Sequence, residues 1–280
     1  MDNLLPPQHT LAPHGSLLHV MLVVLVLSGV VVPSSAQVTV RGPLFQDQEV
    51  APGDTYGGTV VLYNRGDSVR TAEVSLQDYL FNYQGQSQYL DPGSHDRSNA
   101  PWIDYGSSTV TIPPEQEATI EYDVEVPDTM KGSAPTGTYW GMIIVEPLNQ
   151  NPNAEPTQGL AVQQVRRYGI QVATHIQNTG SPGLEILSAN LDSEGEQPQL
   201  HVDVKNTGTR SDRPSARLEL YDESGELAME QSSSPKRIYP STSVRYRLDL
   251  SDLSPGEYQA LLVLESESGR SIGRQFSVNL

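Results

Sequence analysis

The feature that most restricts this chain is an alternation of apolar and polar residues with a period of two, which sets every second side chain on one face of an extended strand. Val60 and Leu62 share a phase; Ala72, Val74 and Leu76 enclose Glu73 and Ser75; Ile120, Tyr122, Val124 and Val126 enclose Glu121, Asp123 and Glu125. Later, Leu200, Val202 and Val204 alternate with His201, Asp203 and Lys205, and Ala216, Leu218 and Leu220 with Arg217 and Glu219. Val244, Tyr246, Leu248 and Leu250 alternate with Arg245, Arg247 and Asp249, and Phe276, Val278 and Leu280 end the chain. Beyond the first 36 residues no window keeps a helical stripe for three turns without Gly or Pro. The 23 glycines and 21 prolines fall largely between the runs, as turn residues should.

Short strands with one apolar face bury it best in two sheets packed face to face. The expected fold is therefore all-β, two tandem immunoglobulin-like β-sandwich domains. Two domains are favoured over one barrel because the halves repeat each other. Val60 to Asn64-Arg65-Gly66 and the following Ala72–Leu76 strand parallel Val202 to Asn206-Thr207-Gly208 and Ala216–Leu220. Ile112-Pro113-Pro114, the Ile120–Val126 strand and Gly137-Thr138-Tyr139 parallel Ile238-Tyr239-Pro240, Val244–Leu250 and Gly256-Glu257-Tyr258. Six turn-forming residues, Asn178 to Gly183, divide a domain at 37–178 from one at 179–280, since few contacts should cross such a stretch.

The N-terminus reads as an export signal occupying residues 1–36. Val20 to Val32 is apolar apart from Ser28 and Gly29, and Ser34 and Ala36 put small residues at the minus three and minus one positions before Gln37. At about 1.5 Å per residue the run is too short for a hydrocarbon core of about 30 Å. No Lys or Arg precedes it, which suggests Met21 as the true start. No second hydrophobic stretch follows, so the mature chain is expected to have no membrane span and to be periplasmic or secreted.

Charge and composition exclude several functions. Among 280 residues, 17 basic side chains face 34 acidic ones, a net charge of −17. Removing residues 1–36 takes away only Asp2 among the charged groups, so the mature chain stays acidic. Neither nucleic acid nor anionic lipid would be drawn to it. Without cysteine there are no disulfides, thiolate metal sites or thiol nucleophiles. The low lysine content (Lys131, Lys205 and Lys236) with excess acid hints at a saline habitat.

Few motifs point to chemistry. Arg65-Gly66-Asp67 spells a tripeptide that integrins recognise, but it stands where a β-turn is expected and parallels Asn206-Thr207-Gly208, so turn chemistry accounts for it. The acidic loops at Asp192–Glu196 and Asp222–Glu226 lack calcium-loop spacing and read as hairpin turns. His95, His175 and His201 stand well apart, and no nucleophile elbow or phosphate-binding glycine loop occurs. No cofactor or metal is implied, and the chain is read as a non-enzyme. Two irregular stretches stand out. Residues 82–108 carry Tyr83, Tyr89, Trp102 and Tyr105, either a recognition loop or an aromatic plug over a sandwich end. Residues 147–160 are polar and turn-rich, a functional loop or a hairpin tip.

Residues 165–176 are the strongest candidate for partner binding. Tyr168, Ile170, Val172 and Ile176 share one phase, behind the basic pair Arg166 and Arg167. At a sheet edge, free backbone groups would template a strand of another chain, and an arginine would hold a terminal carboxylate bidentately. The alternative is that the same alternation packs the domain's own core and the arginines are solvated.

With Asn64 after an early strand, Ile112-Pro113-Pro114 before the Tyr122–Val126 strand, Gly137-Thr138-Tyr139, a long loop and the strand from Arg167 to Ile176, the chain resembles PapD-like pilus-assembly chaperones. It is also similar to WxL-interacting proteins, although it lacks their C-terminal membrane helix and basic tail. The first resemblance implies a periplasmic chaperone that donates the last strand of domain 1 to an incomplete pilus subunit. Its donor residues would be Tyr168, Ile170, Val172 and Ile176, with Arg166 or Arg167 as one carboxylate anchor and Arg41 as the second. The 82–108 insertion departs from that pattern. Two other readings stay open: a surface or matrix protein that recognises cell-wall polymer or another protein through 82–108, and a hydrolase with a dispersed site.

Overall fold

The computed structural model describes residues 38–148, 166–193, 197–267 and 269–280. The proposed export signal, Val165, most of the 147–160 stretch and the tip of the 192–196 turn lie outside the described residues.

The first half contains β1 (Val38–Arg41), β2 (Phe45–Val50), β3 (Thr55–Asn64), β4 (Arg70–Phe81), β5 (Ser87–Leu90), β6 (Ile103–Asp104), β7 (Thr109–Ile112), β8 (Glu117–Glu125), β9 (Thr138–Pro147) and β10 (Tyr168–Ile176). The second contains β11 (Leu184–Asp192), β12 (Gln199–Asn206), β13 (Ser215–Tyr221), β14 (Leu227–Ser232), β15 (Ser243–Asp249), β16 (Glu257–Glu265) and β17 (Ser271–Asn279). One sheet of the first sandwich runs β1-β3-β8-β6; the other runs β2-β10-β9-β4-β5, with β7 also on β4. The second sandwich sets β11-β12-β15 against β14-β13-β16-β17. The fold is thus all-β, two sandwiches in tandem, as the alternation requires.

Each sandwich closes on its own core. Val60, Leu62, Val74, Ile120, Tyr122, Val124, Ile143, Ile170 and Val172 form the first; Leu200, Val202, Leu218, Leu220, Tyr246, Leu248 and Leu262 form the second. The internal repeat is structural. Asn64 donates from Nδ2 to the carbonyls of Ser68 and Ile112, and its Oδ1 accepts the Gly66 N–H. Asn206 makes the same bonds to Arg210, Ile238 and Gly208. Each buried amide ties a turn to the strand end beside it, which explains why an asparagine stands at both places.

Gln37–Leu280 forms one compact unit, and the contacts joining its sandwiches are specific. Tyr239 stacks on Trp140, which is itself fixed within the first sandwich by Nε1–H donating to the Tyr79 carbonyl at 2.7 Å, and Phe81 meets the Tyr239 ring edge-on. The Thr138 N–H donates to the Thr209 carbonyl at 2.9 Å. Arg210 caps the carbonyls of Ile176 and Thr179 and pairs with Glu49.

Candidate partner-binding site

The residues of β10 divide sharply by face. Ile170, Val172 and Ile176 have no solvent exposure and belong to the cores of their own sandwich. Tyr168 is half-buried against that core and its hydroxyl donates to the Val38 carbonyl at 2.9 Å.

The expectation of a free edge along the whole ribbon is corrected by the pairing. Residues 168–175 pair with β9 on one side, and residues 171–176 pair in parallel with β2 on the other. β2 escapes notice in the sequence because Phe45–Val50 carries no apolar alternation; its side chains are mostly exposed.

Among the described residues, the edge left unpaired is short. β1 pairs with β3 in one sheet, and the chain then crosses at Gly42-Pro43 to enter the other sheet as β2. Gly42 takes φ of +96°, a left-handed conformation that glycine adopts without a Cβ penalty. Because β2 begins at Phe45, Gln171 is the first β10 residue it meets, its N–H bonding the Leu44 carbonyl. Backbone polarity alternates along a strand, so Arg167 and Gly169 turn their N–H and C=O to the same side as Gln171. No described strand pairs there. Leu44 and Phe45, 50% and 42% exposed, flank the opening.

The candidate anchors are placed apart. Arg41 lies on β1, in the other sheet, paired with Glu117 and 3.6 Å over the Tyr63 ring. Arg167 pairs with Glu146 at 2.5 Å, and Arg166 is exposed.

Below the opening, a cleft of about 470 Å³ between the sandwiches is lined by Asp47, Glu49 and His175 of the first and Arg210, Arg213, Arg237 and Glu267 among others of the second. Its arginines are already matched: Arg237 holds Asp47 with both terminal nitrogens, Arg210 holds Glu49, and Arg213 faces Glu267 at 3.4 Å, while Asp212, which also lines it, accepts from the Arg213 N–H and Ser266 Oγ at one oxygen. Burial raises the Asp47 pKa, but the hydrogen bond from His175 and the charge of Arg237 outweigh it and hold the carboxyl below its usual value. An incoming carboxylate would have to displace Asp47 or Glu49. These arginines went unnoticed in the sequence. The signal was in the repeat, where Tyr239 replaces Pro113, an aromatic in one copy's turn but not the other's.

Asp47, His175 and Thr138 form a hydrogen-bonded line that superficially suggests a hydrolase. Thr138 is fully buried, and its hydroxyl oxygen already accepts the Ser211 N–H at 2.9 Å. The line braces the junction. The 82–108 stretch divides: the Tyr83 N–H donates to Ser243 Oγ and Arg245 lies over the Tyr83 ring across the junction, whereas Trp102 packs on Tyr139 within the first sandwich. His95 lies against Trp140, and Asn99 donates to Val172 and Thr174. Tyr89, cross-strand from Tyr79, is the large hydrophobic side chain of this stretch that remains exposed.

No family model matches this chain and no curated protein does. Among solved structures, it is similar to a chaperone–tip adhesin complex of CFA/I fimbriae, at 10% identity over 88% of this chain and 100% of that one, with a TM-score of 0.45. It is also similar to the CsuC–CsuE chaperone–tip adhesion subunit pre-assembly complex of Acinetobacter baumannii, at 16% identity over 86% and 98%, TM-score 0.44. The E. coli chaperone DraB matches at 14% identity over 86% and 98%, TM-score 0.39. At this identity and these scores the likeness concerns the fold and nothing finer.

Proposed function

We propose that this protein is an exported, non-enzymatic binder that takes an extended segment of another protein at the open N-terminal end of β10, in an assembly-chaperone role. The observation that carries the reading is the gap beside Arg167 and Gly169, where β2 has not yet joined and exposed Leu44 and Phe45 stand at the rim. Main-chain hydrogen bonds along such a gap supply affinity, and the flanking apolar side chains supply a foothold. This keeps the role that the family resemblance implies but changes its chemistry. The guest reads β10 by its backbone, because Ile170 and Val172 are committed to their own core. A carboxylate anchor in the cleft is disfavoured by the matched charges there.

The test is Arg167→Pro, which removes a donor on the open side at the residue just before β10, outside its ladder with β9, where proline is tolerated. A photo-crosslinking phenylalanine analogue at Leu44, in the full chain in its native host, should capture a partner identifiable by mass spectrometry. Capture should fall at least tenfold in Arg167→Pro with unchanged circular dichroism. Undiminished capture would remove the strand-pairing mechanism.

A further inference from the structure

The internal repeat shows what a particular pair of turns is for. In the second sandwich, the turn after Asn206 and the turn after Ile238 form the end that docks on the first sandwich. The Thr209 carbonyl takes the Thr138 N–H, the Ser211 N–H donates to Thr138 Oγ1, and Tyr239 lies on Trp140.

The first sandwich owns the same pair of turns. The asparagine bonds match, the Asn64 N–H reaches the Gln116 carbonyl as the Asn206 N–H reaches that of Thr242, and Glu115 and Ser241 both adopt positive φ, 55° and 67°. Among the described residues, no second sandwich docks on this end. Arg65, Asp67 and Ser68 are exposed, Val69 is 49% exposed, and Leu148, whose N–H bonds the Thr71 carbonyl beside them, is 39% exposed. The repeat also separates fold from function in Arg65-Gly66-Asp67. Asn64 and Gly66 have counterparts in Asn206 and Gly208, so the turn needs them; Arg65 and Asp67 answer to Thr207 and Thr209, so the turn does not need their charges.

We propose that the turns at Asn64–Val69 and Pro113–Gln116 form a docking surface for the end of a β-sandwich of another protein, as the equivalent turns of the second sandwich dock on the first. Arg65 and Asp67 select a partner carrying complementary charges around an apolar spot that meets Val69. The partner is not a second copy of this chain. Where the junction stacks Tyr239 on Trp140, a head-to-tail copy would set Pro113 against Gln259, the residue that follows Tyr258 as Trp140 follows Tyr139, and the anchor would be lost. The inference rests on the reading that another protein is the ligand. It adds where the partner's folded body sits: at the end that also carries the open N-terminal end of β10, since Val38 pairs with Asn64 and accepts from Tyr168.

The test places the photo-crosslinker at Val69 in the full chain in its native host, beside the Leu44 probe. The expected product at Val69 is a β-sandwich protein cross-linked at its strand ends. Its yield should drop at least tenfold in the double variant Arg65→Thr, Asp67→Thr, which carries the second sandwich's own turn residues and so should fold. A product at Val69 without one at Leu44 supports the docking surface and removes the strand reading. A product at Leu44 without one at Val69 overturns the docking surface and spares the strand reading. A Val69 product that is a second copy, is not a sandwich, or is unchanged in the double variant also overturns it.

Discussion

Tyr239 lies flat on Trp140, ring centroids 4.6 Å apart and planes 5° from parallel, and its hydroxyl donates to Gln171 Oε1 at 3.0 Å. One ring comes from a turn of the second sandwich and the other from the outer face of β9, and both are buried. The stack covers a patch that neither sandwich could leave in water without cost.

Tyr239→Ala should cost about 3–5 kcal/mol, the range for deleting a large buried ring. Urea unfolding followed by tryptophan fluorescence should show a lower midpoint and a red-shifted native spectrum as Trp140 meets water. An unchanged spectrum would mean the stack does not hold the junction.

Asn64→Ala and Asn206→Ala should destabilise by similar amounts, about 2–3 kcal/mol each, because each strands buried carbonyls. Asn→Asp at either place should be worse, since a carboxylate cannot donate to them. Denaturation midpoints of the four variants check the equivalence; a neutral Asn206→Ala would contradict it.

Gly137 and Gly256 occupy equivalent positions with opposite demands. A Cβ on Gly137 would lie 2.0 Å from the Thr209 carbonyl oxygen, at φ of +75°, whereas one on Gly256 would meet nothing nearer than 3.7 Å. Gly137→Ala should therefore force the sandwiches apart and lower thermal stability by several degrees, and Gly256→Ala should stay within about 0.5 kcal/mol of the parent.

Acid should loosen the junction through Asp47. Its folded pKa is depressed, so its contribution is present above the unfolded value of about 3.9 and is lost as pH falls through the folded value. Asp47→Asn should lower stability at pH 7 and flatten its decline below about pH 4, measured by urea titration at a series of pH values. An equally steep decline in the variant would assign the acid sensitivity to other carboxylates.

How far the sequence could be followed depends on the range of each interaction. Every alternating run named in the sequence is a strand, because burial of one face is a local demand that each residue answers separately. The repeat of Asn64 and Ile112 by Asn206 and Ile238 was equally visible, since one buried amide demands the same partners twice. The neighbours of β10 were not visible: Phe45–Val50 shows no alternation, and it joins the sheet by backbone bonds that carry no side-chain signature. Nor did Tyr83 announce that it meets the second sandwich or Trp102 that it fills the first, because an aromatic ring looks the same in a sequence whether it meets a guest, a core or a neighbouring sandwich.

The sequence by itself determined an all-β chain of two sandwiches, since the period of two and the turn residues between runs admit no helical packing. Only the tertiary structure decided which backbone groups remain unpaired and which charges are already matched. Both depend on strands brought together from distant parts of the chain: β2 beside β10, and Arg237 against Asp47.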